Sequence, residues 1–289
     1  MDLSAVLPHT GPIRTIWGMA MLRSCAMLIP AFLALAATGV AQEARPPVSQ
    51  CQAIAERLPQ VKFASFVPVA YEAPEVSISF IGHSTFLIES PGGVRIATDY
   101  SGFLLPGGPP DVATMNKAHE SHFTLTPDPG IGMVLHGWGD TPGQPIDHDL
   151  VVGDVYIRNV TTDIRAWGAF EEDGNSIFIF EVADLCIGHL GHLHHELADS
   201  HIAEIGRLDV VMVPVDGGLT LGAESMRNVI ERLHSSLVLP MHRTGPRVRD
   251  FAAMFEGDYD VVYSDSRTIT LSLASLPRPQ QILLLQGVW

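Results

Sequence analysis

Three groups of histidines are the residues of this sequence whose types and spacing best suit chemistry. The first is the run His119-Glu120-Ser121-His122, the second is the run HLGHLHH at residues 189–195, and the third is His242. A neutral imidazole nitrogen is a good ligand for Zn²⁺ and related transition metals, and two histidines close together in a loop can share one ion. The spacing therefore predicts a metal centre.

Each histidine group closely follows a short segment that predicts a β-strand. These segments are residues 111–114, 185–188 and 237–240. Loops at strand ends collect binding and catalytic residues, because a rigid sheet holds their backbone in place. We therefore expect the three groups to form one site at the edge of a sheet.

The hydrophobic pattern along the rest of the chain predicts mainly strands in the first part and strands alternating with helices in the later part. Further strands are predicted at residues 76–81, 85–89, 94–98, 150–152, 155–160, 177–182, 210–215, 261–263 and 268–273. Helices are predicted at residues 51–58, 197–205, 223–233 and 248–255. This order favours an α/β fold in which two sheets pack face to face with helices outside.

Composition and charge limit the classes of partner. The chain has 289 residues, is 46% hydrophobic and 17% charged, and carries a net charge of −15. Such a chain can bury a large core, and its acidic surface argues against nucleic-acid binding, which needs a basic footprint. No G-x-S-x-G elbow, dinucleotide fingerprint or glycine-rich phosphate loop occurs. A small-molecule substrate or ligand is the expected partner.

The N-terminus has the pattern of a secretory signal. Arg14 and Arg23 precede an apolar run at residues 25–37, and the small residues Gly39 and Ala41 follow. We predict a signal peptide at residues 1–41, a proline-rich arm at 42–74, and one domain at 75–289. The protein would then be periplasmic or secreted, without stable membrane insertion. A retained anchor is the alternative, although the run is short for a spanning helix.

Two cysteines remain after the predicted signal, Cys51 and Cys186. An oxidising compartment would allow them to pair. Cys186 nevertheless lies in a strand-like apolar run, so the sequence favours a buried free thiol there.

Several segments together carry a resemblance to a known family. They are ISFIGHSTFLIE at residues 78–89, VRIATD at 94–99, NSIFIFE at 175–181, CIGHLGHLHHEL at 186–197, VVMVPVDGG at 210–218 and LVLPMH at 237–242. In this order they resemble the metallo-β-lactamase superfamily, and within it the branch of lactonase-like and phosphodiesterase-like hydrolases. The resemblance runs from about residue 76 to 245 and implies an αββα sandwich.

The resemblance implies a metal site that departs from the family's pattern. The family binds two metals with an H-x-H-x-D-H loop, a later histidine, a bridging aspartate and a final histidine. Here His119, His122 and His242 match ligand positions. Lys117 stands where the first histidine is expected, and Ser121 stands where the loop aspartate is expected. His192 occupies the position of the bridging aspartate, and residues 162–164 contain no histidine.

These substitutions disfavour two adjacent dications, because no bridging carboxylate offsets their repulsion and a lysine adds positive charge. We predict one ion, with zinc first and Ni²⁺, Cu²⁺ or Fe²⁺ as alternatives, in an all-imidazole site. Its predicted ligands are His119, His122, His192 and His242. If one of the four is not a ligand, three histidines and a water would form an open, catalytic type of site.

Other residues at the same edge are predicted to support the reaction. Lys117 is a candidate cation for an oxyanion, Asp216 a substitute base or ligand, and His83 a group on the substrate side. Asp99 and His189 are candidate partners that orient the ligating histidines.

One further histidine, His136, lies next to Gly137 and Trp138. We expect it in a loop, either lining a pocket or at the surface.

Two functions remain open. The first is an exported metal-dependent hydrolase, in which a metal-bound water attacks an ester, lactone, amide or phosphodiester. The second is a non-catalytic protein that binds a metal or a small ligand on a degenerate metallo-β-lactamase fold, as the substitutions at 117, 121 and 192 suggest. A three-histidine open site favours the first, and a closed four-histidine site the second.

Overall fold

The computed structural model describes residues 48–52, 73–166, 169–242 and 248–289. The chain divides into two compact units, Met1–Ala44 and Arg45–Trp289, and the described residues all belong to the second. The predicted signal peptide and most of the predicted arm, with the predicted helix at 51–58 beyond residue 52, lie outside the described residues.

The described part contains fourteen strands and three α-helices in a mixed order. The strands are β1 (Val76–Gly82), β2 (Thr85–Glu89), β3 (Arg95–Ala97), β4 (Val112–Met115), β5 (Met133–His136), β6 (Asp149–Val152), β7 (Val155–Ala166), β8 (Ala169–Val182), β9 (Leu185–His189), β10 (Val210–Pro214), β11 (Leu237–Met241), β12 (Asp260–Tyr263), β13 (Thr268–Leu271) and β14 (Gln281–Leu284). The helices are α1 (Asp199–Ile205), α2 (Ala223–Leu233) and α3 (Val248–Ala253), and a short 3₁₀ turn covers Leu273–Ser275.

The strands form two sheets. The first has six strands in the order β13-β1-β2-β3-β4-β5, and the second has eight in the order β12-β14-β11-β10-β9-β8-β7-β6. Strand β1 alternates buried and half-buried residues, as a strand with one face on a core does, whereas β9, β10 and β11 are buried throughout. One hydrophobic core contains residues of both sheets and of the helices. The fold is the αββα sandwich that the sequence predicts.

The helices form where the apolar period is helical. Helix α2 buries Met226, Val229, Ile230 and Leu233, which are spaced three or four residues apart and so share one face. It ends at His234, whose left-handed backbone (φ 52°) terminates the helix. No helix within the described ranges is both long and apolar enough to cross a membrane.

A side chain after β4 ties the two sheets together. The amide nitrogen of Asn116 donates to the Asp99 carboxylate at 2.9 Å and to the Ser176 carbonyl in β8 at 3.3 Å, while its amide oxygen accepts from the Ser176 backbone N–H at 2.8 Å. Neighbouring glycines leave room for it: a Cβ at Gly137 would lie 2.3 Å from Asn116 Oδ1, and a Cβ at Gly191 would lie 2.5 Å from its Nδ2.

Of the two alternatives for the cysteines, the favoured one, a free thiol at Cys186, is wrong. Cys51 and Cys186 form a disulfide, with Cα atoms 6.0 Å apart and both residues buried. The sequence showed that Cys186 is buried but not that the segment at residues 48–52 packs against β9. That segment is also held by the Glu181 carboxylate, which accepts from Ser49 Oγ at 2.5 Å and from the Gln50 backbone N–H at 2.8 Å.

Candidate metal centre

The residues predicted to do chemistry follow strands of both sheets. In the first sheet, His83 lies in the turn between β1 and β2, Asp99 follows β3, and His119 and His122 follow β4. In the second sheet, His192, Asp216 and His242 follow the parallel neighbours β9, β10 and β11. The carboxyl ends of parallel strands meet at one edge, which is where α/β sheets bind ligands.

Three of these residues have a left-handed backbone, which is uncommon outside glycine. The φ angles are 53° at His83, 41° at Asp99 and 58° at His242. Such conformations cost about 1–3 kcal/mol each and gather at functional sites, because the surrounding structure has to hold them in place. The backbone N–H of His242 donates to the His83 carbonyl at 2.8 Å, which joins two of the three strained positions.

Imidazole nitrogens from both sheets converge at the centre. Nε2 of His119 lies 3.0 Å from Nε2 of His192 and 3.4 Å from Nε2 of His242. Two sets of residues could each hold a metal ion, because within each set every residue offers one ligand atom and these atoms lie within 4.8 Å of one another. The first set is His83, His119, His122 and His242, and the second is His192, Asp216 and His242. The structure thus brings together the four predicted ligands and adds His83 and Asp216 to the same place.

The cluster contains buried polar atoms that lack hydrogen-bond partners. Among the described residues, Nε2 of His83 and Nε2 of His122 have no partner, and Nδ1 of His242 and Oδ2 of Asp216 contact each other without forming an aligned hydrogen bond. A buried polar atom without a partner is costly and calls for an explanation such as an ion. Zn–N bonds of about 2.0–2.1 Å place two ligands of a tetrahedral zinc about 3.4 Å apart, which is the His119–His242 separation. The donor set therefore fits a transition metal.

Oxygen atoms hold the second nitrogen of three of these rings. Nδ1 of His122 lies 2.6 Å from Oδ2 of Asp99 and 3.1 Å from Oγ of Ser84. Nδ1 of His119 lies 2.6 Å from Oγ of Ser121, the serine that stands at the family's loop-aspartate position. An acceptor at Nδ1 fixes the tautomer that leaves the Nε2 lone pair free for a metal. The sequence predicted that Asp99 orients a histidine in this way, but it did not predict the same role for Ser121.

Asp216 plays the corresponding part for His242. Its Oδ1 accepts from the backbone N–H groups of Gly218, Leu219 and Thr220 and from the Thr220 hydroxyl. Its Oδ2 lies 2.5 Å from Nδ1 of His242 in an ion-pair contact. The two atoms are not aligned as a hydrogen bond, and at this distance they interact as an ion pair when the ring is protonated. Both oxygens of Asp216 are thus engaged within the protein.

His192 differs from the other rings because imidazoles contact both of its nitrogens. Nδ1 lies 2.8 Å from Nε2 of His194, and Nε2 lies 3.0 Å from Nε2 of His119. His194 in turn accepts the backbone N–H of Arg165 at its Nδ1, at 2.8 Å. The sequence did not predict any role for His194, although the spacing H-x-H already placed it next to His192.

Two predicted residues have clear structural partners. His189 is fully buried, donates from Nε2 to the Ser84 carbonyl at 2.8 Å and accepts the Gly191 N–H at Nδ1, so it supports the turn that carries Ser84. Lys117 forms a partly buried ion pair with Glu171 of β8.

The structure corrects the prediction for His136. It ends strand β5, outside the histidine cluster, and its ring stacks on Trp138 with centroids 4.6 Å apart. The sequence had placed it in a loop, because β5 is a short and half-exposed strand without a clear period.

Burial lowers the pKa values of four of the histidines in and beside the cluster. Burial first, and then the neighbouring histidines, lower the pKa of His83 to about 3 and that of His119 to about 4. Burial and Arg165 lower the pKa of His194 to about 4, and the pKa of His192 is lowered chiefly by burial as well. Burial alone would raise the pKa of Asp216, but contacts with His242 and the backbone N–H groups outweigh it and lower the pKa. Neutral imidazoles beside an ionised carboxylate are the protonation states that a metal needs.

A cavity of about 460 Å³ opens beside the cluster. Its lining residues include His119, His192 and His194 together with Arg165, Phe170 and Leu219. Phe170 and Leu219 are more than half exposed, so the cavity offers apolar surface next to the imidazoles. Its size suits a small organic molecule. Another cavity, of about 420 Å³, lies beside residues 48–52 and contains none of the clustered histidines.

Comparisons with known proteins agree with the resemblance. The family described as the beta-lactamase superfamily domain matches residues 77–242. A candidate Zn-dependent hydrolase of the metallo-β-lactamase superfamily from Thermotoga maritima is 26% identical and has a TM-score of 0.50, covering 73% of this chain and 98% of its own. Igni18, a metallo hydrolase from Ignicoccus hospitalis, is 19% identical with a TM-score of 0.51, covers 68% and 99%, and shows the fold alone. No curated protein matches.

Proposed function

Because this chain belongs to the β-lactamase superfamily through residues 77–242, and carries a histidine cluster that fits a metal, we propose that it is an exported hydrolase with one metal ion. The coarser conclusion, a metal-dependent hydrolase of this superfamily, follows from the family and the cluster together. The finer proposal is a mononuclear site that acts on an ester, lactone, amide or phosphodiester.

In this proposal Nε2 of His119, His122 and His242 would hold the ion. The observation that carries it is that each of these rings has its Nδ1 next to an oxygen, from Ser121, Asp99 and Asp216 respectively. A zinc ion there would act as a Lewis acid and lower the pKa of a coordinated water toward neutrality. Asp216 then positions His242 instead of serving as a free base, and His83 adds a further ring nitrogen to the same group, with its Nε2 buried and unpartnered.

The remaining residues would bind and orient the substrate. The cavity beside the cluster offers the exposed rims of Phe170 and Leu219 to an apolar group. Lys117 was predicted to stabilise an oxyanion, but Glu171 neutralises its charge, so that part of the proposal needs the ion pair to open. The acidic surface, with a net charge of −15, favours neutral substrates over polyanions.

Export is proposed on two observations. The N-terminal segment has the pattern of a secretory signal, and the Cys51–Cys186 disulfide is of the kind that persists in oxidising compartments. Fractionation of producing cells, with immunodetection of the shortened chain, tests it: a full-length chain in the cytoplasm would contradict it.

Metal analysis of the protein, produced from its full gene without a histidine tag, tests the main proposal. We expect about one equivalent of zinc in the wild type, less than a tenth of that in His122→Ala, and an unchanged content in His136→Ala, a matched control outside the cluster. No bound metal after incubation with zinc would overturn the proposal. Zinc without turnover of any ester, lactone, amide or phosphodiester would favour the non-catalytic alternative.

A further inference from the structure

The protonation of His192 follows from a chain of contacts that begins at a backbone amide. The backbone N–H of Arg165 can only donate, and it points at Nδ1 of His194 from 2.8 Å. Nδ1 of His194 is therefore an acceptor without a proton. A neutral ring that accepts at Nδ1 carries its proton on Nε2, so His194 presents an N–H at Nε2.

The same reasoning applies once more along the chain. Nε2 of His194 lies 2.8 Å from Nδ1 of His192, and because His194 donates there, Nδ1 of His192 accepts. His192 then carries its own proton on Nε2. That N–H points to Nε2 of His119, 3.0 Å away, and His119 can accept it because Ser121 stands beside its other nitrogen. The backbone N–H of His192 donates to Asn175 Oδ1 at 2.7 Å, which holds the residue in place.

We propose that His192 presents an imidazole N–H, and not a lone pair, to the centre of the cluster, where it donates a hydrogen bond to an oxygen of the substrate. This inference rests on the proposed function, and it changes the role of His192 from the fourth ligand predicted from the sequence to a donor. A metal ligand needs the lone pair of Nε2, which the proton occupies here. Oxygens flank the Nδ1 atoms of His119, His122 and His242, so their Nε2 atoms can remain without a proton. A metal on Nε2 of His119 would take the lone pair that accepts from His192, and this would leave the His192 N–H free for an oxygen.

Position supports the donor role. His192 is almost fully buried against the cluster and also lines the 460 Å³ cavity, so its ring lies between the two. Carbonyl and phosphoryl oxygens gain negative charge when they are attacked, and a fixed N–H donor at that point stabilises the charge. The substrate class is therefore one whose reacting oxygen accepts a hydrogen bond, and the residue at position 192 contacts that oxygen.

The tautomer is directly measurable in the wild-type protein. Long-range ¹H–¹⁵N correlation spectra of ¹⁵N-histidine-labelled protein distinguish a protonated from an unprotonated ring nitrogen. We expect His192 to show a protonated Nε2 and an unprotonated Nδ1, both without metal and with one equivalent of zinc. An unprotonated Nε2 in either sample would overturn the inference.

Zinc affinity of two variants provides an independent test. If His192 is a donor, the His192→Gln variant should still bind one equivalent of zinc. Its zinc affinity should fall by no more than about 100-fold, which is the usual effect of changing a residue next to a ligand. His194→Ala frees His192 to use either tautomer, so zinc affinity should stay the same or increase. If His192 were a ligand oriented by His194, the same change would weaken zinc by about 10–100-fold.

The outcomes separate the two proposals. Zinc in the wild type that is lost in His192→Gln would overturn the donor role but leave the hydrolase proposal intact. A wild type that binds no zinc would overturn the hydrolase proposal, and the tautomer spectrum of the metal-free protein would still decide the state of His192. If His194→Ala fails to fold, that spectrum and His192→Gln decide the question.

Discussion

At the scale of single residues, the site depends as much on the neighbours of the histidines as on the histidines themselves. Asp99 accepts from His122 with one oxygen and from Asn116 with the other, and its carboxylate is fully buried. Ser121 plays a comparable part for His119 at a partly exposed position. A buried carboxylate constrains a ring more strongly than a hydroxyl, because a carboxylate can only accept whereas a hydroxyl can also donate.

This difference predicts the relative effect of two substitutions. Asp99→Asn offers an amide that can donate to Nδ1 of His122 and so move its proton to Nε2, which removes the lone pair. We expect zinc affinity to fall by more than about 100-fold in Asp99→Asn and by about 10-fold in Ser121→Ala. Competition with a chromogenic chelator measures both. Equal effects would mean that the carboxylate is not what sets the tautomer.

The lowered histidine pKa values predict how stability depends on pH. The pKa of His83 falls from 6.5 to about 3, and those of His119 and His194 fall to about 4. Between about pH 6.5 and 4 the unfolded chain takes up protons at these rings and the folded protein does not, so the free energy of unfolding decreases as the pH falls. Above pH 6.5 these histidines are neutral in both states, so they do not make the free energy of unfolding depend on pH.

Thermal unfolding of the metal-free protein between pH 7.5 and 4.5 checks this prediction. We expect Tm to be level above pH 6.5 and to fall steadily below it. Asp99 and Asp216 start from the ordinary carboxyl pKa of 3.8 in the unfolded chain, so the stability that their lowered pKa values contribute is lost mainly below about pH 5 and does not account for a decrease above it. A Tm that is constant down to pH 4.5 would contradict the neutral, buried cluster.

The convergence of His119, His122 and His242 was predictable from the sequence because they follow recognisable strands. The hydrogen-bond chain through His194 and the part played by Ser121 were not. Both depend on which loops face each other across the two sheets, and residue spacing does not encode this. Asp216 was identified by its position, but the sequence could not show that four donors already occupy one of its oxygens.

At the scale of elements, strong patterns gave correct boundaries and weak ones did not. Strand β2 and helix α2 agree with the sequence to the residue, because one is a short apolar run between turns and the other has a clear helical period. Strands β5 and β14 were missed. Strands β7 and β8 extend well beyond prediction, since their outer halves form a polar hairpin with Glu171 and Asp173.

The segment at residues 48–52 is held to β8 and β9 by one covalent link and one buried charge. The disulfide joins positions that are 135 residues apart, and the Glu181 carboxylate binds both this segment and Arg158. Closing so long a loop restricts the unfolded chain considerably. The arm predicted from the sequence is therefore anchored to the domain at this point.

Removal of the disulfide should destabilise the domain without affecting the metal centre. We expect Cys51→Ser to lower the free energy of unfolding by roughly 2–5 kcal/mol, with zinc content unchanged. Denaturant unfolding of Cys51→Ser and of the double variant Cys51→Ser/Cys186→Ser measures this free energy. The two variants should be equally destabilised if the effect comes from losing the disulfide. Loss of zinc in both would instead connect this segment to the site.

At the scale of the whole molecule, the site lies across the contact between the two sheets. His119 and His122 come from the six-stranded sheet, and His242 comes from the eight-stranded one. An ion held by all three would link the sheets only when the domain is folded. Ordered family motifs made this architecture predictable, since they placed one histidine group after a strand of the first sheet and two after strands of the second.

Zinc should therefore stabilise the whole domain. At 100 times its dissociation constant, a ligand that binds only the folded state adds about 2.7 kcal/mol to the free energy of unfolding. We expect a cooperative increase in Tm on zinc addition to the wild type and none in His122→Ala. Calorimetry would reveal two separate transitions if the ion stabilised only its own loops, and that result would contradict a site shared between sheets.

The Asn116 bridge has a consequence for how mutational scans of this protein are interpreted. The side chain of Asn116, for which the glycines at 137 and 191 make room, reaches His122 only through Asp99, and its backbone N–H donates to the His122 carbonyl and not to the ring. Any larger side chain at either glycine would collide with it, so all three positions will tolerate almost no replacement. A saturation library selected for activity would rank them beside the histidines. Positions that tolerate no replacement in such a library will therefore include residues that join the two sheets as well as the candidate metal ligands. A metal-content assay is needed to distinguish these two groups.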